Sequence, residues 1–284
     1  MPLVPMSDLL KQAQKEKYAV GAFNIVDYAT LQAVVDAAEE ENSPAIIQTS
    51  ASSTVKYYGY KPLVDMVVNA VGDSRIPFAL HLDHCKDVDM VFACIDSGWT
   101  SVMYDGSSFP FEVNLENSKK VVAKAHAKGV SVEGEIGAVW GVEDDIDVDE
   151  HPDLLADPDM AVKYATDTGV DAFAPAIGTA HGLYKGEPKI DFERLKQIAS
   201  RIDTPIVIHG GTGLSEEVFK KLIEYGGCKI NVSTQIKIGY FDGFKSYIES
   251  GGKVDPIKLI KHIRATEKDV VKNFMRIFGS SGKA

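Results

Sequence analysis

The sequence predicts an α/β fold, a closed (β/α)8 TIM-type barrel with extra C-terminal helices, and three observations predict it. Short β-branched runs alternate with amphipathic helical stretches, eight such units are present, and the runs are apolar almost throughout instead of alternating. Strands of that kind belong to a parallel sheet covered on both faces. Eight strand–helix units in 284 residues are what a closed barrel requires. An open doubly wound sheet is the alternative, but no glycine fingerprint of a dinucleotide fold follows the first strand, where the chain reads NIVDYAT. No internal repeat and no Pro-, Gly- or Ser-rich linker interrupts it, so residues 1–284 read as a single barrel domain.

The strands are expected at Ala19–Ile25, Ala45–Thr49, Phe78–Asp83, Ser101–Asp105, Val130–Glu135, Ala172–Ala176, Pro205–His209 and Cys228–Val232. Helix punctuation fills the gaps. Ser7 is placed to cap Leu9–Gln14, and Gly98 ends a helix carrying Val88, Val91, Phe92 and Ile95. Gly129 closes 112–128, Asp157-Pro158 opens a helix that Gly169 ends, and Asp191 and Ser215 are further N-caps. From Lys253 to Phe278, Leu259, Ile260, Ile263, Val270, Val271, Phe274 and Ile277 recur at helical spacing, as core or subunit-contact positions.

Composition narrows the function. With 45% hydrophobic and 25% charged residues the chain is ordinary globular material. Thirty basic against 41 acidic residues give a formal charge of -11, which argues against a broad nucleic-acid footprint. No apolar run reaches membrane-spanning length and no signal-peptide core opens the chain, so a cytoplasmic protein with no membrane partner is expected. Cys85, Cys94 and Cys228, with no CxxC pair, fit reduced thiols. Nine carboxylates fall between Glu143 and Asp159, a stretch without Lys or Arg that reads as a solvated acidic loop or a functional lid.

In a parallel barrel the C-terminal strand ends open onto the active site, and here they are polar. They offer Asn24, Thr49 and Ser50, Asp83 and His84, Asp105, Glu135, His181, His209, and Asn231 with Ser233 and Thr234. His84, His181 and His209 end strands three, six and seven, and three imidazoles with an open fourth position suit a catalytic zinc. His81 shares inward parity with Asp83 and is a barrel-interior side chain, while His126, His151 and His262 lie on a surface helix, in the acidic loop and in the tail. Two turns, His209-Gly210-Gly211-Thr212-Gly213 and Asn231-Val232-Ser233-Thr234, follow strands seven and eight, where barrels commonly hold phosphate through backbone N–H groups and a helix N-terminus. Uncharged donors of that kind let an acidic protein bind an anion that its overall field repels.

The runs HLDHC, EGE, GTAHGLYKGEPKIDFERL, IVIHGGTG and KINVST, with GAFNI before and MRIFGSSGKA after them, together resemble the class II ketose-bisphosphate aldolases. That family is zinc-dependent and includes fructose-1,6-bisphosphate and tagatose-1,6-bisphosphate aldolases. The resemblance implies His84, His181 and His209 as zinc ligands, Asp83 as the acid that exchanges a proton with the C4 hydroxyl, and Glu143 as the carboxylate that handles the C3 proton of dihydroxyacetone phosphate. It implies a second divalent metal at Asp105 and Glu135. Phosphate and a monovalent cation (Na+ or K+) are implied at Gly182, Gly210, Gly211, Thr212, Asn231, Val232, Ser233 and Thr234, and further substrate contacts at Asn24 and Ser50. A phosphosugar substrate and a homodimer or homotetramer follow on the same ground. The chain departs from the family at Gln235-Ile236-Lys237, where an acidic residue is common, and at Trp140-Gly141-Val142, which leaves fructose against tagatose bisphosphate open.

Three rival readings exist, one of them a metal-dependent barrel hydrolase, in which the two phosphate turns would have no use. A Schiff-base aldolase needs a desolvated strand lysine, for which Lys229 has the parity of Asn231 but a position low in the barrel. A non-catalytic sugar-phosphate sensor on the same fold would have no use for Asp83 and Glu143.

Overall fold

The computed structural model describes residues 3–143, 146–148, 154–184 and 186–284, with the side chains of Trp140, Val142, Glu143 and residues 146–148 outside that description. Eight parallel strands close a barrel: β1 (Val20–Asn24), β2 (Ala45–Ser50), β3 (Phe78–Cys85), β4 (Ser101–Tyr104), β5 (Ser131–Ile136), β8 (Ala172–Pro175), β10 (Ile206–Ile208) and β11 (Gly227–Val232). Each coincides with an expected strand to within one or two residues at either end, and the barrel excludes the open sheet. Between them run α2 (Tyr28–Glu41), α3 (Lys56–Tyr58), α4 (Tyr60–Val71), α5 (Val88–Ser97), α6 (Phe111–His126), α7 (Pro158–Thr168), α8 (Phe192–Ala199), α9 (Glu216–Glu224) and α10 (Thr234–Glu249), with a π-helical turn at Ala51–Val55. The long tail helix α11 (Pro256–Ile277) packs against α2 and α10, burying Ile263, Val271 and Phe274 as its spacing predicts.

The caps act as their chemistry requires. Asp157, Asp191 and Ser215 accept backbone N–H groups at the starts of α7, α8 and α9, and Gly98 and Gly169 end α5 and α7 in the left-handed region. Two expectations fail. The first helix, α1 (Met6–Glu16), starts after Pro5, so Ser7 is inside it and its N–H goes to Ser131 Oγ instead, 3.0 Å away. α6 ends at His126, and Gly129 (φ 69°) turns the chain three residues later.

The segment read as an acidic loop or lid contains a strand pair. β6 (Trp140–Glu143) and β7 (Ile146–Val148) are antiparallel, and β6 pairs in parallel with β9 (Ala180–His181) in a small sheet above the barrel. Gly141 permits it: at φ 100°, a Cβ there would stand 2.2 Å from the His181 carbonyl oxygen. Within the acidic run, residues 144–145 and 149–153, His151 among them, lie outside the described residues.

Candidate active site

Period two along each strand decides what enters the barrel. From β1 come Val20, Ala22 and Asn24, from β2 Ile46, Gln48 and Ser50, and from β3 Ala79, His81 and Asp83, with Asn24 beside Gln48 and Ser50 beside Asp83 in register. Successive residues on a strand face opposite ways, so Asp83 and His84 should not both reach the mouth. They do so because His84 takes φ 45°, rare for a residue with a side chain, and the β3–β4 register shifts between Leu82 and Cys85.

The three predicted ligands converge. One ring nitrogen from each of His84, His181 and His209 lies within 4.8 Å of the other two, and the His84 ring centroid is 5.0 and 4.7 Å from those of His181 and His209. The other imidazole nitrogens are committed: His84 Nδ1 to Asp105 Oδ2 at 2.9 Å, and His209 Nε2 to Glu133 Oε1 at 2.8 Å. That leaves His84 Nε2 and His209 Nδ1 buried with no hydrogen-bond partner among the described residues. Glu135 Oε2 is likewise unpartnered; it approaches His209 Nδ1 at 3.0 Å without hydrogen-bond geometry. Unpartnered imidazole nitrogens held from behind by carboxylates are what a divalent ion such as zinc requires.

The local electrostatics favour positive charge. Burial works against a charged His84, yet Asp83 and Asp105 outweigh it and hold the imidazole well above the usual histidine range. His209 is likewise penalised by burial but raised to about 8 by Glu133 and Glu135. Asp105 stays below the ordinary carboxylate range despite burial, because His84 and Ser107 both donate to it. His81, with Lys229 nearby, is driven the other way by burial and is neutral, with Nδ1 2.7 Å from Ser101 Oγ.

Asp83 is clamped from two sides. Asn24 Nδ2 donates to its Oδ2 at 3.0 Å and Asn231 Nδ2 to its Oδ1 at 3.4 Å, while Gln48 Nε2 holds Asn24 Oδ1 at 2.7 Å. Ser50 Oγ sits 3.3 Å from Ser52 Oγ at the rim. Across the mouth Gly182 and Gly210 take positive φ, and a Cβ on Gly210 would stand 2.4 Å from the Ala180 carbonyl oxygen. Tyr184 ties these turns together, its hydroxyl accepting from Ala180 N at 3.0 Å and donating to Gly210 O at 2.8 Å. Thr212 is buried beside them, and Gly211 packs on Asn231 O. Beyond Val232, Ser233 Oγ is buried without a partner among the described residues where Thr234 starts the 16-residue α10. Glu143 ends β6, one strand from His181, and its side chain lies outside the described residues.

Sequence reading missed Glu133, Gln48, Ser107 and Tyr184. For the two strand residues a signal existed: each lies two positions before a named site residue, Glu135 and Ser50, on the same inward face. Lys229, named only for a rival chemistry, is fully buried with Nζ 2.9 Å from Glu133 Oε2 and 2.7 Å from Asn231 Oδ1. Its amine is committed to a carboxylate and an amide oxygen instead of standing free for the attack that a Schiff base needs.

A family model described as fructose-bisphosphate aldolase class-II matches residues 4–283. The fructose-bisphosphate aldolase of Geobacillus stearothermophilus is 43% identical over 287 aligned residues, covering 100% of this chain and 99% of that one. The fructose-bisphosphate aldolase of Staphylococcus aureus (strain Mu50) is 40% identical with full coverage of both chains. Among solved structures, the YdjI aldolase of Escherichia coli K12 superposes with a TM-score of 0.87 at 28% identity, covering 99% of each chain. Agreement over the whole length shows that this chain belongs to the class-II fructose-bisphosphate aldolase family.

Proposed function

We propose that this aldolase, an aldehyde-lyase, reversibly cleaves fructose 1,6-bisphosphate to dihydroxyacetone phosphate and glyceraldehyde 3-phosphate. The observation that carries the reading is the meeting of three imidazoles beside a carboxylate clamped by two amide donors. His84 and His209, through the nitrogens left unpartnered, and His181 would hold a zinc ion, which supplies Lewis-acid polarisation of the substrate carbonyl. In the cleavage direction Asp83 takes the proton of the C4 hydroxyl, the C3–C4 bond breaks toward the polarised carbonyl, and Glu143 returns a proton to C3. Asn24 and Asn231 keep both Asp83 oxygens as acceptors, the state a base needs. Gly182, Gly210, Gly211, Thr212 and residues Asn231–Thr234 bind the C1 phosphate through backbone donors and the α10 N-terminus, with the unpartnered Ser233 hydroxyl in reach. Ser50 contributes from the opposite rim.

Finer parts of the reading rest on the same residues. Asp105 and Glu135 supply carboxylates for a second divalent ion, with Glu135 Oε2 the unpartnered oxygen, and the phosphate turns accept a monovalent cation, Na+ or K+. The protein acts as a homodimer or homotetramer, for which Phe241, Phe244 and Ile248 of α10 and Ile257 and Ile260 of α11 offer an exposed apolar face. Buried free cysteines at 85, 94 and 228 support a cytoplasmic setting. The deciding experiment is a coupled assay on fructose and tagatose 1,6-bisphosphates, with and without chelator. Cleavage of the fructose ester that is lost on chelation and restored by zinc is the expected result. Cleavage of the tagatose ester alone reassigns the substrate, and turnover indifferent to chelator refutes the metal chemistry.

A further inference from the structure

We propose that Glu133 and Lys229, buried below the site, are positioning residues that lock the metal ligand His209 and the base Asp83 into compatible orientations through one continuous chain of hydrogen bonds and a buried ion pair. The inference rests on the aldolase reading for what Asp83 does, and on geometry alone for the lock. Glu133 Oε1 accepts from His209 Nε2 at 2.8 Å, and Lys229 Nζ stands 2.9 Å from Glu133 Oε2. Lys229 also donates to Asn231 Oδ1 at 2.7 Å, and Asn231 Nδ2 reaches Asp83 Oδ1 at 3.4 Å. Every side chain in this chain is buried, so each hydrogen bond acts in a medium where leaving a donor or acceptor unmade is costly.

The donor inventory fixes both ends. A carboxylate only accepts, so the His209 nitrogen facing Glu133 must be N–H, and Nδ1 is the nitrogen left with a lone pair for an ion. An ammonium only donates, so the Asn231 atom facing Lys229 must be the carbonyl oxygen, and the NH2 group is turned to Asp83. Each of the two amides at Asp83 is thus set from behind, Asn231 by Lys229 and Asn24 by Gln48. Pairing Glu133 with Lys229 also lets a carboxylate stand behind a ligand histidine without leaving an uncompensated buried charge.

The test removes the pair together, because either single change strands a buried charge. Glu133→Leu combined with Lys229→Met replaces it with apolar side chains of similar size, a swap that buried pairs commonly tolerate. Zinc affinity, read by competition with a metallochromic chelator, should weaken by about 10–100-fold, the usual consequence of losing a carboxylate behind a ligand histidine. At saturating zinc kcat should fall at least about tenfold, as Asn231 is freed to rotate. Wild-type zinc affinity, or wild-type kcat at saturating zinc, overturns the proposal. Should the double variant not fold, imidazole 15N–1H spectra of the zinc-loaded wild type decide. A His209 protonated on Nε2 is expected, and one protonated on Nδ1 refutes the lock. Zinc affinity and tautomer are read without substrate, so their outcome is separate from whether the enzyme cleaves fructose bisphosphate.

Discussion

Replacing Asp83 by alanine separates chemistry from architecture, because the carboxylate touches two amides and stands outside the histidine cluster. Asp83→Ala leaves Asn24 Nδ2 and Asn231 Nδ2 without an acceptor in a buried setting, at about 1–3 kcal/mol each. For a chain of this length the unfolding entropy is roughly 0.6 kcal/mol per kelvin, so the apo protein should melt about 3–10 °C lower. Gln48 and Lys229 still hold the two asparagines by their carbonyl oxygens, which keeps the site from collapsing. Loss of the group that carries the C4 proton should then cost about 10²–10⁴ in kcat, or about 3–5 kcal/mol of transition-state stabilisation. The measurement pairs kcat in the coupled assay with zinc content of the same preparation. A variant that keeps one zinc per chain and turns over within threefold of wild type would remove Asp83 from its role.

Three other perturbations have signed outcomes. Glu143→Ala should retain zinc and lose about 10²–10⁴ in kcat, and wild-type exchange of the dihydroxyacetone phosphate C3 proton with solvent in that variant would exclude Glu143 as its carrier. Glu267 on α11 is buried with both oxygens unpartnered among the described residues, and burial together with Asp27 raises its carboxyl from 4.5 to about 8. The folded state keeps that proton while the unfolded chain loses it, so stability should decline as pH rises from about 4.5 to 8, by at most roughly 5 kcal/mol. Glu267→Gln should flatten that decline in denaturant titrations, and an unchanged slope would contradict it. Gly210→Ala forces a Cβ to within 2.4 Å of Ala180 O at a φ of 69°, so KM should rise about tenfold or more through the displaced phosphate turn, and an unaltered KM would dissociate that turn from substrate.

The fold was legible because its signal is periodic and local: eight apolar runs, capped helices and polar strand ends are all properties of neighbouring residues. The three converging histidines were legible as residue types at strand ends, and strand parity alone would have sent His84 away from the mouth. Its φ of 45° is a backbone choice that no side-chain pattern announces. The β6–β7 pair was hidden because carboxylates dominate that run and only Gly141, at φ 100° against the His181 backbone, marks the strand. Ser7 was misread because Pro5 already starts the helix, which frees the Ser7 N–H for a long-range bond to Ser131. Glu133 was passed over because a buried carboxylate is intelligible only with its partners, and those come from β10 and β11, 76 and 96 residues further on.

A single strand in this barrel performs two tasks in succession, and the boundary between them explains why stability and chemistry coexist. At the N-terminal end Val20, Ala22, Ile46, Ala79, Ala172, Ala174 and Val207 pack against Met6, Leu9, Leu10 and Ala13 of α1, which stoppers the barrel with apolar surface. Two residues further along the same inward rows stand Asn24, Gln48 and His81, together with His209 of the histidine cluster. Burying that many polar groups is costly unless they are partnered, and the Glu133–Lys229 pair with the amides of Asn24, Gln48 and Asn231 supplies many of the partners, although Gln48 Oε1, His81 Nε2 and Glu133 Oε2 make no hydrogen bond among the described residues. The groups that remain unpartnered are therefore informative. Of these, His84 Nε2, His209 Nδ1, Glu135 Oε2 and Ser233 Oγ lie at the open end, where the proposed ion and anionic substrate would complete the bonding that the fold leaves unfinished.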